Sequence, residues 1–459
     1  MRAVRSEPVA ARVPPSRWRR LATIDRRLIV LLLCAPLLGL IGVVAADLVP
    51  NDPIADNLLD ARDAGQIGPS DENMTPLGTS AARYTECTAL SLGLGSRPGD
   101  NVLTNTMRSP AYTGCARLDA ALDEYAETGT LRAGFPYLRY WHGYAIITRP
   151  ALAVFGVTGT RWIAFVVSLV AVFGMCAAVK RSFGVVATLL LVGPALLTSD
   201  MVVSGLSAST AIGSACAWIG GWMAMLAVAV RPSWTTAALA AAVAGAISAY
   251  LDLMTTMPGA LALTSVGATL GACVAGRPSL RIWRIAAAAV VGWIVGLAWM
   301  WGWKWVIAAA VLGIDTVDDS VRSQIEFRLS SGTSGVSDAR FGGLTANLEM
   351  WWDRPLTPWV VVAMAAALGV LAVVALAKRR RLDGRWGLVL CALIALAPAV
   401  AWYVALNNHS QIHPLLVYRS LPIAFGGAIA LLYLAVRQPN GDAAQATLTS
   451  DSPSQAASA

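Results

Sequence analysis

The sequence predicts an all-α transmembrane fold of about ten membrane-spanning helices, an interfacial helix and two outer loops. Three observations predict it. Of 459 residues, 56% are hydrophobic and 14% charged, with a mean hydropathy of +0.59, whereas a soluble domain carries about 25% charge. The apolar residues are gathered into runs near the roughly 20 residues that a span requires. Basic residues collect in short turns between alternate runs, where they set orientation. The net charge of +8 is therefore spent on topology, and its placement argues against nucleic-acid binding.

Residues 1–27 form a basic N-terminus with eight arginines against two acids, ending at Asp25-Arg26-Arg27. The apolar run from Leu28 to about Leu48 follows. It is long for a signal peptide, and Ala45-Ala46-Asp47 is a weak cleavage site, so it reads as a retained first span. An acidic outer loop over 47–138 comes next, then an aromatic, amphipathic stretch from Tyr137 to Phe155 that suits a helix lying in the headgroup region. Nine further spans fall at about 161–179, 184–200, 212–230, 235–251, 259–276, 285–312, 357–377, 386–406 and 421–436. The 285–312 run is long enough to tilt or to continue beyond the membrane. The second outer loop, 313–356, is Ser/Gly-rich from Ser330 to Ser337. The polytopic domain thus runs over 28–436, and the Ala/Ser/Asp-rich tail 437–459 is expected to be disordered and cytoplasmic.

Charge supports this order. Lys180-Arg181, Arg231, the Arg277/Arg281/Arg284 group, Lys378 to Arg381 with Arg385, and Arg437 all fall on the N-terminal side. Five connections alternate as the positive-inside rule requires, which predicts both termini in the cytoplasm. Five cysteines lie within spans and read as small buried hydrophobes. Cys87 and Cys115 lie in the first outer loop, where an oxidising compartment permits them to pair.

The unusual polar residues are one-sided: Asp47, Asp52, Asp56, His142, Asp252, Lys304, Arg328, His409, His413, Tyr418 and Arg419 all map to the outer face. Asn407 to His413, running on to Tyr418-Arg419, carries the strongest local signal. Histidines four apart share a helical face, and arginine presents a planar fork to phosphate oxygens. The plain alternative is an interfacial turn with aromatic and basic anchors. A divalent metal is a further option from the His-x3-His spacing, although no third ligand lies near in sequence. Asp47 and Asp52, just past the first span, suit a general base for a hydroxyl acceptor; the alternative is a solvated acidic loop. His142, within Tyr140-Trp141-His142-Gly143-Tyr144, lies either on a headgroup belt or on a rim that holds a lipid or sugar. Lys304, among Trp299, Trp301, Trp303 and Trp305, is costly unless it snorkels or finds a partner.

The long first outer loop, the helix after it, the many spans and the outer acids together resemble the GT-C class of membrane glycosyltransferases. The strings RYWHGY…RP at 139–150, YLDLMTTMP at 250–258, KWVIA…QIEFR at 304–328 and HSQIH…VYR at 409–419 also resemble a bacterial group of polytopic membrane proteins of unassigned function. The resemblance implies a polyprenyl-phosphate sugar as donor, a cell-envelope glycan or lipid as acceptor, and a bacterial inner-membrane location. It gives Asp47 or Asp52 the role of base, and Lys304, Arg328, His409, His413 and Arg419 contacts to phosphate. The compact acidic pair of many GT-C members is missing here. Two other readings are a flippase or transporter of lipid-linked saccharides, which would place charge near the bilayer midplane, and a non-catalytic assembly partner, which would scatter the polar cluster.

Overall fold

The computed structural model describes residues 17–68, 83–199, 207–276, 280–329, 336–337, 339–377 and 386–437. The structure is helical apart from one ladder of two residues per strand. Helix α1 (Arg17–Asp47) is apolar and turns much of its surface outward, with Ile29, Leu33, Leu37 and Ile41 exposed. Such a face is suited to lipid. Pro50 stops it from running on, because the residue before a proline is driven out of the helical region; α2 (Asn51–Asp63) starts immediately after.

The stretch expected as the first outer loop is a small folded unit. Helices α2, α3 (Arg83–Leu90), α4 (Val102–Arg108) and α5 (Cys115–Thr128) enclose Ile54, Leu58, Leu90, Leu94, Leu118 and Leu122. Strand β1 (Pro110–Ala111) pairs antiparallel with β2 (Phe135–Pro136), and a disulfide joins Cys87 to Cys115. The unit is clamped to the membrane helices by charge. Glu86 accepts from Arg161 Nε at 3.0 Å and from its terminal nitrogen at 2.9 Å, a bidentate geometry that strengthens the pair.

The aromatic stretch expected as an interfacial helix divides in two. Residues 137–144 form a buried turn, and α6 (Ala145–Phe183) begins only at Ala145. The turn is packed against the membrane helices: Trp141 Nε1 donates to the Met300 carbonyl at 2.6 Å, and Gly143 N–H to the Tyr250 carbonyl at 2.8 Å. Within α6, Gly156 takes φ 64° and ψ −168°, which breaks the helix into a short outer piece and a span. Only glycine accepts that conformation without strain.

Then follow α7 (Val185–Thr198), α8 (Ala208–Val230), α9 (Trp234–Leu251), α10 (Met257–Val274) and α11 (Trp283–Leu312). The pairs α9/α11 and α8/α10 make the centre of the bundle, and their close approach follows from small residues. A Cβ on Gly292 or Gly296 would lie 2.1 or 1.8 Å from the carbonyls of Ala238 or Ala242, and one on Gly267 2.0 Å from that of Gly221. Backbone meets backbone there, the usual means of packing helices in lipid.

The second predicted loop is also helical, with α12 (Ile314–Leu329) and α13 (Gly342–Trp352). The chain ends its described part with α14 (Thr357–Ala377), α15 (Trp386–Ala405), α16 (Asn407–Ile412), α17 (Pro414–Val417) and α18 (Ser420–Arg437). The expected tail after Arg437, and the Ser/Gly stretch 330–335, lie outside the described residues.

All ten predicted spans are helices, but eight stretches among the described residues are long and apolar enough to cross by themselves. The count reaches nine if α13 and α14, bent by 102°, make one crossing. The predicted 184–200 span is the 14-residue α7, about 21 Å long at 1.5 Å per residue, short of the roughly 30 Å hydrocarbon core. Its ends bring the two membrane edges into view. At the basic edge Arg231 pairs with Asp25, which also accepts from Thr236 Oγ1 at 2.9 Å, and Arg437 donates to the Phe183 carbonyl at 3.2 Å. The folded unit of α2 to α5 lies at the opposite edge.

Candidate functional site

Asp47 is the last residue of α1. A carboxylate at a helix C-terminus faces the negative end of the macrodipole, so it needs compensation, and α4 supplies it. Asn105 Nδ2 donates to both Asp47 oxygens at 3.1 and 2.9 Å, and Thr106 Oγ1, which shares its one hydrogen with the Val102 carbonyl at 2.7 Å, donates to Oδ2 at 3.1 Å. Asp47 opens on a small cleft, with a cavity volume of about 20 Å³, lined also by Val43, Gly93, Trp141, His142 and Arg149. Gly93 keeps the cleft open: with φ +80°, a Cβ there would stand 2.3 Å from an Arg149 nitrogen and 3.1 Å from Asp47 Oδ1.

Arg149, 3% exposed, is the main residue that sequence reasoning undervalued. It was legible only as an anchor in the RYWHGY…RP string. Its guanidinium donates to the carbonyls of Ala46 (2.9 Å), Leu92 (2.7 Å) and Val49 (2.9 Å) and to Asn51 Oδ1 at 2.7 Å. It therefore ties the α1–α2 turn, which carries Asp47, to the wall of the cleft. Asn105, Thr106 and Gly93 had no distinguishing sequence signal; their relevance comes from the tertiary approach of α4 and the 91–95 turn to α1.

His142 joins this site. It adopts φ 58°, uncommon for a residue with a side chain, and is buried. Its Nε2 lies 2.8 Å from the Tyr137 carbonyl and its Nδ1 3.2 Å from the Tyr144 hydroxyl. A carbonyl can only accept, so Nε2 carries the hydrogen and Nδ1 accepts from Tyr144. Burial pushes the imidazole pKa down to about 3; the Tyr137 hydrogen bond opposes this, and the Lys304 and Arg139 charges add to it. His142 is thus a neutral group in the cleft, not a cation for phosphate. Its folded pKa is below the ordinary 6.5, so the unfolded chain binds the proton more tightly and stability falls as pH drops from about 6.5 toward 3. Nitrogen-15 histidine spectra should show His142 as the Nε2–H tautomer from pH 5 to 8; a titration in that range would contradict the assignment.

Lys304, on α11, is 0% exposed. Its Nζ donates to the Met107 carbonyl at 3.2 Å and lies 5.9 Å from the Trp141 ring centre. It stands behind the cleft, next to the α4 residues that hold Asp47. Asp252, in the turn between α9 and α10, is buried and accepts from the backbone and hydroxyls of both Thr255 and Thr256 at 2.5–3.0 Å. Burial pushes its carboxyl up and those four donors hold it down. The arrangement closes the turn that starts α10.

Asp52 is placed apart from the cleft. It is exposed in the first turn of α2, where a carboxylate favours the positive helix end, and it acts electrostatically on Tyr125, whose hydroxyl donates to Asp56 at 2.9 Å. Arg328 belongs to α12; its side chain lies outside the described residues.

The 407–419 segment builds a second polar group. The His409 and His413 rings are 5.0 Å apart. Arg419, buried, donates from Nε to the Ser199 carbonyl at 3.2 Å. The guanidinium carbons of Arg419 and Arg354 each lie 5.6 Å from the ring of the fully buried Tyr418. Arg354 is a cation that sequence reasoning passed over, because it sits in a stretch read as loop. Asn347 of α13 donates to the Ser410 carbonyl at 2.8 Å, and Trp351 Nε1 to Thr198 Oγ1 at 2.8 Å, so this group packs between α13 and the end of α7. None of the eleven residues lining the Asp47 cleft comes from 407–419. Among the described residues no group of three or more His, Cys, Asp or Glu side chains is disposed to hold a metal.

Fold and sites together define a multi-pass helical membrane protein with two polar groups beside its spans. No known protein family, no curated protein and no solved structure matches the chain.

Proposed function

We propose that the protein is a GT-C-like membrane glycosyltransferase that moves a sugar from a polyprenyl-phosphate donor to a cell-envelope glycan or lipid. The observation that carries this reading is the cleft at the end of the first span, with Asp47 held at its wall by Asn105 and Thr106. An acceptor hydroxyl in the cleft would give its proton to Asp47 while its oxygen attacks the anomeric carbon. The bond from that carbon to the phosphate oxygen breaks, and the polyprenyl phosphate leaves with the electron pair. For Arg419, Arg354, His409 and His413 to meet the charge that develops on the phosphate, the donor must reach from the cleft to the 407–419 group, none of which lines it. The basic edge would face the cytoplasm; the cleft and the Cys87–Cys115 bridge would then lie on the oxidising side.

The test uses membranes containing the full chain, a set of radiolabelled polyprenyl-phosphate hexoses and pentoses, and native envelope glycan. His409→Ala and Arg419→Gln should each abolish transfer while membrane abundance stays within about twofold of wild type. Undiminished transfer in both variants would remove the second polar group from the reaction. No transfer by the wild-type chain from any of these donors would reject the glycosyltransferase reading.

A further inference from the structure

We infer that Lys304 is a positioning residue: it ties α4 to α11 and thereby fixes the two side chains that hold Asp47. An ammonium within an apolar span is costly unless it finds partners, and Lys304 finds them on α4. Its Nζ reaches the Met107 carbonyl at 3.2 Å and the Met107 sulfur at 3.9 Å. Trp141 covers it, and Trp141 is itself pinned through its indole N–H to the Met300 carbonyl. Enclosed in this way, Lys304 is better placed to hold protein than to meet a lipid phosphate.

Helix α4 needs such a hold. It has seven residues, capped at its start by the Asn101 side chain, and helices of this length are unstable by themselves. Its last carbonyls have no partners within the helix, and Met107 supplies one of them. A cation at that end also complements the helix dipole. Asn105 and Thr106, the two residues before Met107, are the donors to Asp47. Contact therefore passes from Lys304 through Met107 to Asn105 and Thr106, and from them to the carboxylate. The consequence for turnover rests on the glycosyltransferase reading; the tether itself does not.

The experiment compares wild type with Lys304→Met, which keeps the length and loses the donor. Lys304→Gln, whose amide stops one bond short of the Met107 carbonyl, is read in the same way if the first variant is not recovered folded. Hydrogen–deuterium exchange on the purified full chain should be at least about tenfold faster over 102–108, with 115–128 within about twofold of wild type. Unchanged exchange over 102–108 overturns the tether. In the transfer assay kcat should fall at least about tenfold with the donor KM within about twofold, and Thr106→Val should cost less in the Lys304→Met background than alone. A raised donor KM with kcat unchanged would make Lys304 a donor contact and overturn the positioning role. If the wild-type chain transfers no sugar, the glycosyltransferase reading fails and the exchange result alone decides the tether.

Discussion

Replacing Asp47 by Asn is expected to reduce sugar transfer by about 10²–10⁴-fold, the range that a positioned general base contributes. Asparagine keeps the shape of the side chain and one acceptor oxygen, so helices α1 to α5 should stay folded. Their retention can be read from the Cys87–Cys115 bridge and from membrane abundance. Asp52→Asn is the matched control. Asp52 is exposed at the start of α2 and influences Tyr125, so its loss should change transfer by less than about twofold. The comparison separates two carboxylates five positions apart in sequence by their surroundings alone. If Asp52→Asn were the inactive variant and Asp47→Asn active, the base would lie outside the cleft.

Replacing Arg149 by Met should cause the largest loss of stability at this end of the molecule. Three carbonyls and the Asn51 amide oxygen accept from its guanidinium, and methionine leaves them without a donor. With each lost hydrogen bond worth about 1 kcal/mol, the loss is on the order of 3–4 kcal/mol. Thermal unfolding of the purified chain, followed in detergent, should move to lower temperature. Protease cleavage near 48–50 should rise, because that turn loses its tie to the cleft wall. Arg149→Lys should recover only part of this, since one ammonium cannot span the four acceptors that a planar fork reaches. A melting temperature unchanged in Arg149→Met would mean that the turn is held by other contacts.

Much of the architecture was legible in the sequence because lipid imposes simple rules. A span must be long and apolar, and this picked out α1, the inner part of α6, α7 to α11, α14, α15 and α18. What was misjudged depended on geometry. The 184–200 run was read from its hydropathy, but α7 ends at Thr198 and is too short to cross alone. The stretch at 137–155 had the composition of an interfacial helix, yet Gly156 and the Tyr250 carbonyl make it a buried turn and a broken helix. The two outer loops read as polar connections because their helices are short and only partly apolar.

For the candidate site, the sequence singled out ionisable residues near membrane edges, and that selection rested on cost: lipid tolerates few of them. It left Asp47 and Asp52 as equal candidates, since both follow the first span. Helix polarity distinguishes them, one at the end of α1 and the other at the start of α2, a difference that appears only when Pro50 is seen to divide the helices. His142 has a sequence neighbourhood rich in aromatics, but its neutral state comes from burial and from the Tyr137 carbonyl.

By itself, then, the sequence determined that the chain resides in a membrane as a bundle of helices with its basic turns in alternate connections. Those properties follow from the local pattern of apolar and charged residues. Only the tertiary structure decided that Asp47 meets Asn105 and Thr106, that Arg149 staples the turn beside it, and that the residues of 407–419 gather around α13. Each of those contacts joins residues more than 50 positions apart. Their pairing depends on how the helices pack, and no local pattern records it.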